Sequence, residues 1–494
     1  MGQAASKSYV LTRTEAPPYC VRCVGGSHLL IAGGGGAAKT GVRNSIDIYS
    51  FEVVNPSPHD QDNNNGNEMQ VKLIKVHSFD TQTRATMNLD VRPILDTSAV
   101  VYGSATNASD FVIACGQDDQ CQLYRVRYDV VYTIDGKLIA NLLHDPSLVD
   151  IGQQNSTTQQ QPLPRSRGNI ARARKLALVI EPARSPFTTD FDAKDDRKNN
   201  NGVGKGPSMA FQKCCRLDPS PKRAFVATGG ADGCLRLWNA RTAERLREFR
   251  SHKGDIDDLD VSPDGSILIS IGHDSKTVIW RTQDGALLHD LPLPPEVASQ
   301  ATKYRNRLVR FTSLGVRSQV FVTATVPIQR GGKQQKSYLC LWAFSMQTTA
   351  VRSIVARVAC NEVISALAIS IDGNLTCIGT LQGSVGIYDT HEMHLLRYFR
   401  EKHDIFVTGV DFLPSNGSMI QGATPKGTPS QAPNQTMLHP LGRRVQAACV
   451  SISADQSVQL HVLPFDKQGL ITYKWLRWLL LTMLVYVLLK VMGL

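Results

Sequence analysis

The residues with the strongest chemical suggestion lie early in the chain, where the strand-like run LLIA (Leu29 to Ala32) leads into GGGGAAKTG, Gly33 to Gly41. Gly33, four residues, then Ala38, Lys39 and Thr40 nearly match a P-loop, in which backbone amides and a lysine cradle phosphates. A P-loop works by opening a helix whose N-terminal amides face the phosphates, but the VRNSIDIYSFE that follows alternates as a β-strand. No nucleotide is therefore expected to bind to the chain itself. Two readings remain. One is a flexible hairpin between two strands. The other is a loop that offers carbonyls to a cation or backbone to a partner. Two or three residues would close a hairpin, and four successive glycines carry a heavy entropy cost on ordering, so the second reading accounts for more of the sequence.

Other residues of chemical type read as structure. His252, Ser270 and Asp274 have the composition of a hydrolytic triad, but with Trp280 they fall where a repeated blade places a buried hydrogen-bonded tetrad. Thr228, Asp232 and Trp238 take the equivalent places one repeat earlier, and His403 takes one in the last repeat. A pattern that recurs is not an active site, which occurs once. Cys20 and Cys23 form a CxxC on a strand-like run, where i and i+3 face opposite ways, and no second pair at zinc spacing follows. Eleven cysteines in 494 residues point to buried thiols in a reducing compartment. The start, MGQAAS, fits an N-myristoylation pattern with Gly2 as acceptor.

The elements that must position these residues come from a repeat. FVATGGADGCLRLWNA (Phe225 to Ala240) recurs as LISIGHDSKTVIWRTQDG (Leu268 to Gly285), with Trp238 and Trp280 forty-two residues apart. Each copy is strand, Gly/Asp turn, strand ending in an aromatic residue, then another strand, the grammar of a WD-repeat blade. Weaker copies centre on Tyr49, Tyr124, Trp342, Tyr388 and His461. The count predicts an all-β, seven-bladed WD-repeat β-propeller over residues 1–465. Polar, aperiodic insertions near 55–70, 146–210, 328–336 and 414–443 are expected to be disordered. The last blade runs out of strands after Val407 to Leu413, Val445 to Ser453 and Val458 to Phe465. Tyr9 to Arg13 is expected to supply the fourth and close the ring.

The composition, 42% hydrophobic and 20% charged with 38 Gly and 24 Pro, suits a turn-rich β protein. The formal charge of +11 raises nucleic acid as a partner, and its distribution argues against one. Residues 165–205 hold ten Lys/Arg against five Asp/Glu, and residues 467–494 hold Lys467, Lys474, Arg477 and Lys490 with no acid. The rest is nearly neutral and lacks a phosphate-tracking bias. Residues 475–494, WLRWLLLTMLVYVLLKVMGL, follow a linker at 466–474 and have the length, apolar character and flanking Trp and basic residues of one C-terminal transmembrane helix. The upstream charges place the propeller in the cytosol, with no N-terminal signal peptide ahead of it. Sequons beginning at Asn107, Asn155, Asn374, Asn416 and Asn434 would then go unmodified.

The glycine loop, TDF at Thr189 to Phe191, ATGGADGCLRLW at Ala227 to Trp238, SYLCLW at Ser337 to Trp342, GSVGIY at Gly383 to Tyr388, REKHDIFVTGVDFLP at Arg400 to Pro414, QLHVLP at Gln459 to Pro464 and the C-terminal apolar run together resemble one family. It is the endoplasmic-reticulum guanine nucleotide exchange factors for the Sar small GTPase, which start COPII coat assembly. The resemblance implies a single-pass membrane protein whose propeller promotes GDP release without covalent chemistry. It also implies that the loop binds a potassium ion and contacts the GTPase through Gly33, Gly34, Gly35, Gly36, Ala37, Ala38, Lys39, Thr40, Gly41 and Asn44. Other classes are a non-catalytic membrane-bound scaffold and a DNA-binding transcriptional regulator. Against the latter, no helix-turn-helix or zinc-finger pattern is present and the basic segment lacks interleaved aromatics.

Overall fold

Every aromatic landmark of the repeat falls on the third strand of an antiparallel sheet, and the described residues form seven such sheets. The computed structural model describes residues 7–24, 28–36, 41–54, 70–93, 110–134, 137–138, 173–189, 211–222, 224–250, 252–300, 303–315, 318–329, 336–413, 445–464 and 482. The first strands of the blades, from Pro18–Val24 through Thr86–Pro93, Gln212–Leu217, Ile256–Val261, Tyr304–Thr312 and Ile364–Ile369 to Val407–Phe412, each touch the next. The last touches the first, so the ring is closed.

Burial follows strand position. Second strands such as His28–Gly33, Phe225–Gly230, Ile267–Gly272 and Leu375–Thr380 are buried throughout, and they are short apolar runs rather than alternating ones. Outer strands such as Arg245–Arg250 are largely exposed and charged. The core lies between adjacent blades. Leu30, Ile46 and Ile48 of the first blade pack with Leu89, Ile113 and Tyr124 of the second. Aspartates on inner strands, buried or half-buried, stitch the blades further. Asp90 accepts the Leu217 N–H (2.9 Å), Asp258 the Val309 N–H (3.0 Å), Asp260 the Phe311 N–H (2.7 Å) and Asp411 the Cys23 N–H (2.7 Å). Burial opposes the charge on Asp90, yet Arg92, Arg216 and Arg22 outweigh it and hold its carboxyl below the usual range. Burial prevails at Asp411 and raises it.

Ring closure uses the N-terminus. Lys7–Arg13 pairs antiparallel with Ser457–Pro464 as the fourth strand of the seventh blade, and Tyr9 and Leu11 pack on the core shared by blades seven and one.

One expectation is corrected. The segment 146–210 is not wholly an aperiodic insertion, because Ala173–Pro182 is the outer strand of the second blade, paired along its length with Gln120–Ile134. Phe187–Thr188 pairs with the same partner. The physical reason is that a ten-residue ladder satisfies its backbone groups whatever the local composition. The period-two run Leu176, Leu178, Ile180 was masked by the arginines and lysine around it. Similarly, Gln70 opens the strand Gln70–Asp80 instead of ending a loop. Residues 55–69, 330–335 and 414–444 of the other insertions, and Gly2, lie outside the described residues. So does the expected membrane segment 475–494 apart from Thr482. Among the described residues no helix is long and apolar enough to cross a membrane.

Candidate functional site

The glycine loop connects the second and third strands of the first blade, His28–Gly33 and Ser45–Val54. Antiparallel register puts Pro18, Gly33, Ser45 and Asp80 in a row across one end of that sheet, so the loop and the turn into the second blade emerge together. Among the described residues a strand, and not a helix, follows the loop.

The backbone around Gly33 and Gly34 is too crowded for a side chain. A Cβ on Gly33 would lie 2.1 Å from the Pro17 carbonyl oxygen, where the register shift between Pro18 and Cys20 brings the incoming chain close. Gly34 has φ +143°, and a Cβ there would lie 2.1 Å from Asn44 Oδ1 and 2.7 Å from Asn44 Cα. Its N–H donates to the Pro17 carbonyl at 3.3 Å. These contacts explain glycine at both positions by close approach.

Asn44 is the hub. It is 4% exposed. Its Oδ1 accepts the Gly36 N–H (2.9 Å), and its Nδ2 donates to the Gly36 carbonyl (3.2 Å) and the Gln82 carbonyl (2.9 Å). Its own carbonyl accepts the Thr81 N–H at 3.1 Å. One buried amide thus clamps the start of the glycine loop to the turn between blades one and two. Gly35 and Gly36 are half-buried, Gly41, Val42 and Arg43 are exposed, and Ala37, Ala38, Lys39 and Thr40 lie outside the described residues.

Beside the hub stand groups that the sequence reading did not single out. Arg84 Nη1 donates to Asp119 Oδ1 (2.6 Å) and to the Gln117 carbonyl (3.3 Å), and lies 3.7 Å from Asp118. Burial lifts the Asp118 carboxyl above its ordinary value, with Arg84 opposing and Asp119 adding. Arg43 pairs with Asp80 at 3.5 Å. The only sequence signal for this cluster was its place in turns that a propeller brings to one end.

A family model, WD domain, G-beta repeat, matches residues 210–239 and 243–281. Guanine nucleotide-exchange factor SEC12 of Mus musculus is 30% identical over 461 residues, 92% of this chain and 90% of the relative. The Rattus norvegicus protein of that name is 30% identical over 464 residues, with the same shares covered. The chain belongs to the SEC12 guanine nucleotide-exchange factor family. SEC12-like protein 1 of Arabidopsis thaliana is 24% identical over 215 residues, 43% of this chain and 49% of that one.

Elsewhere in this SEC12-family chain the polar sets hold blades together. His252 Nε2 and Trp280 Nε1 both meet Ser270 Oγ, at 2.8 and 3.0 Å, while His252 Nδ1 meets Asp274 at 3.0 Å. In the third blade Trp238 donates to Thr228 (2.8 Å), but Asp232 pairs with Arg236 (2.5 Å) instead of a histidine. In the sixth blade Glu362 accepts from Thr380 (2.6 Å) and Ser384 (3.1 Å). In the seventh, His403 meets Ser451 and Ser457, each at 2.6 Å, and His461 meets Ser451 at 2.7 Å where other blades place a tryptophan or tyrosine. Eight of the eleven cysteines are buried, and all are free. Cys20 and Cys23 sit on the inner strand Pro18–Val24, where burial pushes both thiols up.

Proposed function

We propose that this chain is a guanine nucleotide exchange factor for a Sar-type small GTPase and promotes GDP release to start COPII vesicle formation at the endoplasmic reticulum. The reading rests on one observation above all. In a chain of the SEC12 family, the glycine loop is held to the neighbouring turn by three hydrogen bonds of the buried Asn44 side chain. The start of the loop, Gly33 to Gly36, is preset in this way and meets a partner with less loss of backbone entropy. The activity needs no bond to be made or broken in the protein. A thousandfold faster release requires about 4 kcal/mol of differential stabilisation, which a protein interface supplies.

The loop is also the proposed place for a potassium ion. Its described donors, the carbonyls of Gly34, Gly35 and Gly36 and the Asn44 amide oxygen, are neutral and hard. That suits a monovalent cation more than a divalent one, which draws carboxylates. Bound there, the ion would add positive charge beside the GTPase contact. The chain is further proposed to be anchored by residues 475–494 with its propeller in the cytosol, the basic collar at Lys474 and Arg477 setting the orientation.

The deciding assay is release of labelled GDP from a Sar-type GTPase with and without the full chain, in potassium and in sodium. No acceleration in either salt would sink the exchange reading, and equal acceleration in both would remove the ion. Alkaline carbonate extraction, together with the glycosylation state of the five sequons, tests the anchor and its direction.

A further inference from the structure

The end of the propeller that carries the glycine loop also carries an exposed apolar pair, Ile405 and Phe406, which are 42% and 43% exposed. They lie in the turn between the sixth-blade strand Leu395–Phe399 and the inner strand Val407–Phe412 of the seventh. Turns from an outer strand to the next inner strand emerge at the same end as the glycine loop, and contacts trace the connection. Thr408 Oγ1 donates to the Pro18 carbonyl (2.8 Å), and Pro17 and Pro18 form the wall against Gly33. Val42, in the loop itself, is 37% exposed.

The turn is rigidly held although its side chains face outward. Ser453 Oγ donates to the Phe406 carbonyl (2.8 Å) and the Ile405 carbonyl (3.4 Å), and the Asp404 N–H donates to Asp455 Oδ2 (2.9 Å). Asp455 in turn accepts from Ser457 and lies 3.5 Å from the buried His403, so the blade's own polar network fixes the turn. Folding leaves a phenylalanine in water on a fixed backbone, the arrangement of an interface anchor, where an aromatic side chain loses little conformational freedom on binding.

We infer that Ile405 and Phe406 form a second, apolar contact for the GTPase, so that the exchange surface is an arc over blades seven, one and two, with the glycine loop at its middle and the Arg84, Asp118 and Asp119 cluster at its far side. The inference rests on the exchange reading above and deepens it. The matching partner surface is apolar and is available in the GDP-bound GTPase, before nucleotide leaves. Switch segments of a small GTPase have this property, because γ-phosphate and its metal order them and their loss releases them. The two parts of the arc have different tasks. The pair supplies binding energy common to all states of the complex, while the loop acts on the nucleotide-depleted state.

This division is testable by steady-state GDP release over a range of GTPase concentrations, using full-length chains carrying Phe406→Asp, Phe406→Ala, Gly34→Ala, or Ile354→Asp as a control. Ile354 is 45% exposed on the outer strand of the fifth blade, away from the arc. Phe406→Asp should raise KM by about 10- to 100-fold, the usual size of a lost anchor, and leave kcat within about twofold. Phe406→Ala should follow with a smaller rise, and Ile354→Asp should change neither. Thermal melting of each variant should match the parent within a few degrees. Unchanged KM in both Phe406 variants overturns the inference while leaving the exchange reading intact. A defect seen only when phospholipid vesicles are present also overturns it and assigns the pair to the membrane. If the unmodified chain fails to accelerate release, the exchange reading and this surface fall together.

Discussion

Replacing Gly34 by alanine tests whether loop geometry drives exchange. At φ +143° an L-residue carries strain of about 1–3 kcal/mol. The added Cβ meets both Asn44 Oδ1 at 2.1 Å and Asn44 Cα at 2.7 Å, so swinging the amide aside does not relieve it. The loop must move off the hub and give up the hydrogen bonds that Asn44 makes to Gly36, each worth about 0.5–1.5 kcal/mol net. Together these give about 2–6 kcal/mol, applied to the loop and not to the blade core, since Leu29, Leu30, Ile31 and Ala32 keep their burial. A loss of about 2.7 kcal/mol in stabilising the release transition state is a hundredfold in rate. In a stopped-flow assay of labelled GDP release from a Sar-type GTPase, Gly34→Ala should therefore fall about 100-fold while melting shifts by only a few degrees. Gly36→Ala is the graded comparison. Its φ is +71°, but its Cβ meets nothing within 4 Å, so about 1 kcal/mol and about a fivefold loss are expected. Exchange by Gly34→Ala within about twofold of the parent would refute the argument from geometry.

Asn44→Ala should cut exchange at least as far as Gly34→Ala, and Asn44→Asp should not rescue it, because a carboxylate cannot donate to the Gly36 and Gln82 carbonyls; the same release assay decides. Ser270→Ala strips a partner from both His252 and Trp280 and should cost about 2–4 kcal/mol in urea unfolding, with exchange per folded molecule unchanged. Deleting residues 1–13 removes the closing strand and should lower the melting temperature and slow exchange together, measured on the same preparation. Burial lowers His28 to about 4 and His461 to about 3, with the nearby charges of His403 and Lys402 adding at His461, so both stay neutral in the fold. The unfolded chain then binds more protons below the ordinary value of 6.5. Stability should be constant above that pH and fall as the solution is acidified toward about 4 and 3, by about 1.4 kcal/mol per pH unit for each histidine. Urea midpoints between pH 7.5 and 4.5 check this, and a flat profile would contradict it.

The blades were legible because a third strand announces itself. Trp238, Trp280 and Trp342 each close a short apolar run after a Gly or polar turn and find a hydroxyl on the strand beside them. What could not be read was the outer strand of the second blade, which its partner defines. Ala173–Pro182 carries a basic, unremarkable sequence and is a strand because Gln120–Ile134 leaves an edge to be paired. The site divides in the same way. Four glycines stand out locally and Asn44 is marked only by the family resemblance, whereas Pro17, Gln82, Arg84 and Phe406 are ordinary residues until ring closure and the turns between blades bring them to the same end.

Ring closure and the site share residues. The strand Lys7–Arg13 that shuts the propeller continues into Thr14, whose N–H donates to the Gln456 carbonyl at 2.8 Å and whose hydroxyl donates to the Ala16 carbonyl at 2.7 Å. That anchor aims Pro17 at Gly33 and Gly34. The loop is thus held on one side by the chain that closes the ring and on the other by Asn44, itself tied to the turn entering blade two. A glycine run that would lose much entropy if ordered alone is ordered by elements already fixed for other reasons, so the entropic penalty of presetting the contact is carried by the fold and not by the encounter with a partner.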